Sequence, residues 1–451
     1  MKLWEKNIPT GDDVLKFTIG NDPQFDRLLA PYDIIGSLAH AIMLGKCELL
    51  EKKEVKEIGG LLANYFDHVV RPEFQLDPDD EDIHSHLEKY LVKKAGDTGK
   101  KIHTARSRND QVMTALQLFM KEELRSIIEQ VERLFGVLIV TAEAGKKTLI
   151  PGYTHTQVAM PSSVAVWLGA YAESLVNDLL VIRAAVDYID QNPLGSAAGY
   201  GSSFPIDRDL TSKLAGFRDL QVSAASPQLN RGKMESTVAF GLSSIAVTLS
   251  RLSADMIFYM SQEVNILSFP DELTTGSSIM PHKKNPDVLE LIRAHCNLVV
   301  QVPGTLQSLS SNLVSGYHRD FQLIKEVLLP AFDKVSQCLT MMERMVSGMK
   351  IRENILDDDK YRYIFSVEVL NSKVIGGKTF RDAYREVGKE IAEGTYKPES
   401  GSSYTHTGSI GNPGLERISE KMEKLVNSIS IQPVSETFHH LKAHIEQLKG
   451  Q

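Results

Sequence analysis

Residues 111–144 read Gln111-Val-Met-Thr-Ala-Leu-Gln-Leu-Phe-Met-Lys-Glu-Glu-Leu-Arg-Ser-Ile-Ile-Glu-Gln-Val-Glu-Arg-Leu-Phe-Gly-Val-Leu-Ile-Val-Thr-Ala-Glu-Ala144. Apolar residues recur at Leu116, Phe119 and Met120, Leu124, Ile127 and Ile128, Val131, Leu134 and Phe135, and Leu138. That three-and-four spacing fills one face of a helix about nine turns long. Two further runs keep the same period, from Ser163 to Asp190 and from Glu235 to Ile266, and none of the three contains an internal proline. A fourth run begins at Pro286 and is expected to stop at Val302, before Pro303; helical pattern resumes from Leu323 to Met349.

Helices near 30 residues exceed the globular average of about 11 to 12, so they must pack lengthwise in an elongated bundle. Their breadth of apolar surface points to oligomerisation. Strand-like alternation is scarce, and the fragments Val69 to Phe74 and Ile429 to Val434 are marginal. The expectation is therefore an all-α protein: a long-helix bundle core with smaller helical N- and C-terminal domains. Its divisions are drawn at residues 1–106, 107–354 and 355–451, the last opening on the acidic Asp357-Asp358-Asp359 cluster. Glu399 to Ser409 is read as the most mobile loop.

The chain has 451 residues, with 50 Lys and Arg against 58 Asp and Glu, a formal charge of −8. A surplus of acid disfavours a nucleic-acid partner, whose affinity comes from clustered cations that release counterions. Cys47, Cys296 and Cys338 are odd in number and widely spaced, which indicates neither a disulfide framework nor a zinc site. The first six residues, Met1 to Lys6, lack the apolar core of a leader. The longest stretch free of Asp, Glu, Lys and Arg, Thr148 to Ala172, is broken by two prolines and His155. No membrane span is expected, and a reducing cytoplasm fits best.

Four segments gather groups suited to chemistry. Thr274-Thr-Gly-Ser-Ser-Ile-Met-Pro-His-Lys-Lys-Asn-Pro-Asp287 joins a hydroxyl-rich loop to Lys283, Lys284 and Asn285 at a helix start. Helix-start amides and ammonium groups stabilise carboxylates or developing negative charge, although an ordinary cap behind a solvated loop accounts for the same residues. His103-Thr-Ala-Arg-Ser-Arg-Asn-Asp-Gln111 places Arg106, Arg108 and Asn109 at the start of the first long helix, again as an anion site or as a plain cap. Pro151-Gly-Tyr-Thr-His-Thr-Gln157 is read as the loop between the first two long helices, offering His155 as a general acid or base, or as a solvated side chain. Ser315 to Lys325 contributes Tyr317, Gln322 and Lys325, a mixture suited to a polar small molecule. Glu81-Asp-Ile-His-Ser-His86 matches no strong metal-ligand spacing, so no metal is expected.

Taken together, Gly276 to Pro286, Arg106 to Gln111, Gly152 to His155, Phe204-Pro-Ile-Asp-Arg208 and Tyr317 to Lys325 resemble the fumarase/aspartase superfamily and, within it, the argininosuccinate lyases. The resemblance implies reversible elimination of L-argininosuccinate to L-arginine and fumarate through a carbanion, in arginine biosynthesis, with no cofactor, by a homotetramer. It implies Ser277 as the base, Lys283 as stabiliser of the aci-carboxylate with Asn285, His155 as the acid at the leaving nitrogen and Glu290 as its orienting carboxylate. Ser37, Arg108, Asn109, Thr154, Tyr317, Gln322 and Lys325 match substrate-holding positions. Adenylosuccinate lyase, fumarase or aspartase chemistry, or a non-catalytic crystallin-like relative, are the competing readings. The chain departs from the family pattern at Ala105, where glycine is usual, at Thr156, at His282 and across Val222 to Arg231.

One geometric expectation needs no resemblance. A helix of about 35 residues places the Arg108-Asn109 corner on the order of 50 Å from His155. If both serve one substrate, subunits must pack antiparallel and each site must be composite.

Overall fold

The computed structural model describes residues 11–77, 80–398 and 404–448; the N-terminal segment Met1–Lys6 and residues 399–403 of the expected mobile loop lie outside it. Its sixteen α-helices are α1 (Asp12–Ile19), α2 (Asp22–Lys46), α3 (Lys52–Val69), α4 (Ile83–Ala95), α5 (Asp97–Lys100), α6 (Arg108–Ala144), α7 (Val164–Ile189), α8 (Arg208–Leu214), α9 (Ser226–Asn230), α10 (Lys233–Met260), α11 (Asp287–Ser310), α12 (Leu323–Gly348), α13 (Ser366–Ile375), α14 (Phe380–Ala392), α15 (Leu415–Val426) and α16 (Val434–Gln447). Five of them, α6, α7, α10, α11 and α12, form the long bundle.

Helix α6 starts where its sequence supplies a capping box. The Ser107 side chain accepts the Asn109 N–H at 3.3 Å, and Asp110 accepts the Ser107 N–H at 3.0 Å, so orphan amides are satisfied in both directions. From there α6 runs 37 residues, about 55 Å, to the other end of the molecule. There α7 turns back, capped by the Ser163 hydroxyl on the Val166 N–H. Helices α10 and α12 run with α6, whereas α7 and α11 run against it. The start of α10 at Gly232 lies against Ser310 at the end of α11, and the Leu273 side chain reaches Gly348 at the end of α12. We call the end carrying Arg108 the near end and the end carrying residues 149–163 the far end.

The expected stop before Pro303 does not occur, because α11 continues through it to Ser310. Pro303 forfeits one backbone hydrogen bond, but its ring is buried in the bundle and its carbonyl still accepts the Ser236 hydroxyl of α10 at 3.2 Å. Packing outweighs the local penalty there; Pro31 in α2 and Pro330 in α12 likewise lie inside helices. The third run stops at Met260 rather than Ile266. Beyond it the chain reverses through left-handed Asn265, and Val264 and Ile266 stay buried, so the apolar period outlasts the helix. Neither Val69–Phe74 nor Ile429–Val434 forms a strand.

One continuous core extends from Leu29 to Ile445. Residue 106 precedes the start of α6, but the apolar face of α2 packs directly on that helix, and α15 and α16 pack back onto α7 and α3. The second apolar cluster, Val369, Leu370, Ala383, Val387 and Tyr396, belongs to the α13–α14 pair. Next to it, the Tyr404 hydroxyl donates to Glu368, which ties down the described part of the expected loop. Helices α2, α7 and residues 226–260 are long and apolar enough to cross a membrane. Their apolar windows are 83%, 56% and 61% buried within the protein, and α2 carries buried Asp26, Asp33 and His40, so their apolar faces serve the protein's own core.

Two backbone and burial features give measurable expectations. Ala105, just before α6, has φ of 59°, a left-handed conformation that a Cβ disfavours and glycine tolerates. Ala105→Gly is expected to raise unfolding free energy by about 1 kcal/mol, read from the urea midpoint; a loss of stability would show the conformation to be unstrained. His40 is fully buried, its Nε2–H donating to the Thr104 carbonyl at 2.9 Å, and burial together with the Arg106 charge holds its pKa down at about 3. Below pH 6.5 the unfolded chain takes up a proton that the native state refuses. Stability should therefore fall with acidification from that pH, by about 1.4 kcal/mol per unit from this group. His40→Gln should remove this component, and an unchanged pH slope in the variant would contradict the assignment.

Candidate active site

The near end holds a polar cleft where α6, α12 and the α1–α2 corner meet. Arg108 and Asn109, on the first turn of α6, line it together with Tyr317, Gln322 and Lys325. Lys325 is 3% exposed and pairs with Asp26 and, at 2.7 Å, with Asp22. Burial pulls its pKa down, but the two carboxylates more than offset this and hold it above the ordinary lysine value. The same crowding, led by burial, pushes the Asp22 carboxyl up to about 6. Gln322 Nε2 donates to the carbonyls of Thr18 and Ile19, at 2.9 and 3.1 Å, tying the cleft wall to α1. Arg108 reaches Asp82 at 3.1 Å and donates to the Ser85 hydroxyl at 3.0 Å. Ser37 does not line this cleft; it is buried on α2, accepting from Arg106 at 2.8 Å.

The far end carries the remaining expected site residues on two projections. The segment read as a simple loop is a β-hairpin, β1 (Leu149–Thr154) paired antiparallel with β2 (Gln157–Ser163). Pro151, Gly152 and Pro161 disguise it, since a Pro-Gly pair reads as a turn and proline is rare in paired strands. The prolines face each other in the register, and Ala159 and Met160 bulge opposite Gly152, where a Cβ would sit 2.9 Å from the Met160 carbonyl. Thr154 and Gln157 close a two-residue turn with His155 and Thr156 at its tip, φ 53° and 59°. A type I′ turn demands positive φ at both positions and normally uses Asn and Gly, so an exposed imidazole is held here in a strained backbone. The Tyr153 hydroxyl, 3.0 Å from that of Tyr361, anchors the hairpin to the bundle.

The second projection is residues 276–284, closed at its base by paired backbone hydrogen bonds between Thr275 and Asn285, 2.8 and 3.3 Å. Asn285 Nδ2 donates to the Gly276 carbonyl at 3.3 Å. Ser277 Oγ accepts the Ile279 and Met280 N–H groups at 3.4 and 3.2 Å. Lys283 is exposed at the return of the loop, Ile279 is 82% exposed near its tip, and Glu290 is exposed on the first turn of α11. Within the described residues of one chain, His155 and Glu290 share no hydrogen bond or ion pair.

The expected site residues thus fall into two sets, separated by the length of α6. A family model described as lyase matches residues 16–301. The argininosuccinate lyase of Parabacteroides distasonis is 49% identical over 435 residues, covering 96% of this chain and 98% of its own length.

The chain belongs to the argininosuccinate lyase family.

Among solved structures, EDDS lyase in complex with formate has a TM-score of 0.73 at 19% identity, covering 98% of this chain and 96% of its own. A class II fumarase from Schistosoma mansoni gives 0.70 at 17%, covering 94% and 95%. These likenesses establish the all-α long-bundle fold.

In this argininosuccinate lyase family member, several near-end residues escaped the sequence reading. Asp22 and Asp26, one turn apart on α2, have no motif to mark them, and only their approach to Lys325 gives them meaning. Glu81 and Asp82, weighed with the histidines as metal ligands, face Arg108 instead, and Asp82 also caps α4 on the Ser85 N–H at 2.7 Å. His84 is buried against Asp33 at 3.1 Å, and His86 lies between Asp80 and the Tyr65 hydroxyl. Arg231 also lines the cleft; the Asn-Arg-Gly sequence before α10 was the available signal.

Proposed function

We propose that this protein is an argininosuccinate lyase acting in the cytoplasm as a homotetramer, with each site assembled from the near end of one copy and the far-end projections of others. The reading is carried by 49% identity to a named argininosuccinate lyase along nearly the whole chain, with the site residues present. Two faces support self-association. Leu291 and Leu298 on α11 are each 59% exposed, and Phe240 and Val247 on α10 are 57% and 45% exposed. Each pair is seven residues apart and so makes an apolar stripe along its helix, suited to another long helix of the same kind.

In the proposed mechanism, Ser277 Oγ removes the proton from the carbon beside the succinyl carboxylate. A serine alkoxide needs stabilising, and two backbone N–H groups already point at this oxygen, with Lys283 on the same loop. The electron pair moves into the carboxylate, giving an aci-carboxylate that Lys283 and Asn285 stabilise. When the pair returns, the C–C bond becomes double and the C–N bond breaks, while His155, oriented by Glu290 across the assembly, gives its proton to the departing guanidinium nitrogen. Thr154 sits beside His155 at the hairpin tip, and Arg108, Asn109, Tyr317, Gln322 and Lys325 hold the substrate at the near end, with Ser37 supporting that wall through Arg106.

Appearance of fumarate absorbance when argininosuccinate is added to purified enzyme tests the assignment. Adenylosuccinate, malate and aspartate serve as parallel substrates. Turnover of one of these, with none of argininosuccinate, would overturn it.

A further inference from the structure

We propose that Arg231 binds substrate directly, its guanidinium receiving the α-carboxylate of the arginine half of argininosuccinate in the near-end cleft. This rests on the lyase reading above and names a ligand contact within that site. Arg231 is 5% exposed, and what it exposes opens on the cleft. Its guanidinium carbon lies 5.5 Å from the ring of Tyr317 and 5.3 Å from that of Phe321, so two aromatic faces fix its plane. Its Nε is buried with no hydrogen-bond partner, and none of its donors meets an acceptor among the described residues.

A guanidinium left this way is costly unless something else completes it. Glu235 is nearby, but its carboxylate accepts the Gly232 N–H at 2.6 Å and makes no bridge to Arg231. Two other cations of the cleft are already matched by carboxylates, and a third is hydrogen-bonded. Arg108 is paired with Asp82, Lys325 is paired with Asp22 and Asp26, and Arg319 donates to the Thr18 carbonyl at 2.9 Å. Arg319 has no carboxylate partner either, but it is exposed and already hydrogen-bonded. Arg231 is therefore the buried positive charge left to take an incoming anion, and a planar fork suits a carboxylate bidentately.

The surrounding charges indicate which carboxylate. Asp22, Asp26, Glu81 and Asp82 line the same cleft. Within the cleft these four carboxylates share two cations, Arg108 and Lys325. The negative charge left over, beside the unpaired Arg231 guanidinium, complements a ligand that brings an ammonium next to a carboxylate, as the amino-acid head of the arginine half does. The succinyl half brings carboxylates and no free ammonium.

The test uses the intact enzyme and two cationic ligands, L-arginine and agmatine, which differ by the α-carboxylate. Wild-type enzyme should bind L-arginine at least ~10-fold tighter than agmatine by calorimetry, and Arg231→Gln should abolish that preference. The variant should also raise KM for argininosuccinate and the inhibition constant of arginine by roughly 10- to 100-fold, with fumarate inhibition within about 2-fold of wild type. Equal wild-type binding of agmatine and arginine would overturn the proposal, as would a parallel loss of fumarate inhibition. Should Arg231→Gln fail to fold, Arg231→Lys keeps the charge but not the fork, and the wild-type comparison decides independently. Absence of argininosuccinate cleavage by wild-type enzyme would instead remove the lyase reading, while the arginine and agmatine comparison would still settle the role of Arg231.

Discussion

Replacing Ser277 with alanine is expected to reduce argininosuccinate turnover by roughly 10²- to 10⁴-fold, the range for loss of a positioned general base. Substrate affinity should change little, because in the proposed assembly the holding groups lie on the near-end cleft of another copy. The hydroxyl is the one group on the 276–284 loop whose oxygen already collects two backbone N–H groups. Those donors favour its deprotonated form, and closure of the loop over substrate would exclude the water that competes for it. Ser277→Cys is an informative companion, since a thiolate forms more readily but is larger and less hydrogen-bonded. Stopped-flow fumarate release together with equilibrium binding of argininosuccinate separates the two effects. Near-normal turnover in Ser277→Ala would mean that another group takes the proton.

The second large effect is a recovery. His155→Ala and Asn109→Ala enzymes should each be nearly inactive, yet tetramers reassembled from an equal mixture should regain roughly one quarter of wild-type activity. The reason is the span of α6. Asn109 opens the helix and His155 follows it by a short hairpin, so the two lie about 55 Å apart in one chain. If both serve one substrate, as proposed, a site must draw them from different copies, and random mixing leaves about one site in four with neither lesion. Mass spectrometry verifies that mixed tetramers have formed. Complete inactivity in such tetramers would dismiss the shared-site arrangement.

The long helices were legible because each carries a sustained apolar period, which marks its presence and its buried face, though at α10 the period outlasted the helix. That Ser107 caps α6, with Asp110 closing the box, came from the structure, but a cap at the start of that helix was readable, since Ser, Asn and Asp gathered before an apolar run are a local chemical pattern. The hairpin was not. Its strands contain two prolines and a glycine, and its turn uses His155 and Thr156 where local preference asks for Asn and Gly; tertiary anchoring through Tyr153 holds it instead. Pro303 misled for the opposite reason, because a strong local breaker was overruled by burial against α10. Of the residues that line the near-end cleft, Arg108, Asn109, Tyr317, Gln322 and Lys325 lie in dense motifs and stood out in the sequence, whereas Asp22, Asp26 and Arg231 did not. Each is a single charged residue whose meaning depends on a partner contributed by a distant part of the chain.

The span of α6 has a genetic consequence. If each copy lends its two ends to different catalytic centres, as proposed, one damaged polypeptide entering an otherwise sound assembly harms more centres than it could own. Co-expressed defective alleles should then show interference out of proportion to their dosage when a single copy is lesioned at both extremities. Pairs lesioned at opposite extremities should instead repair one another.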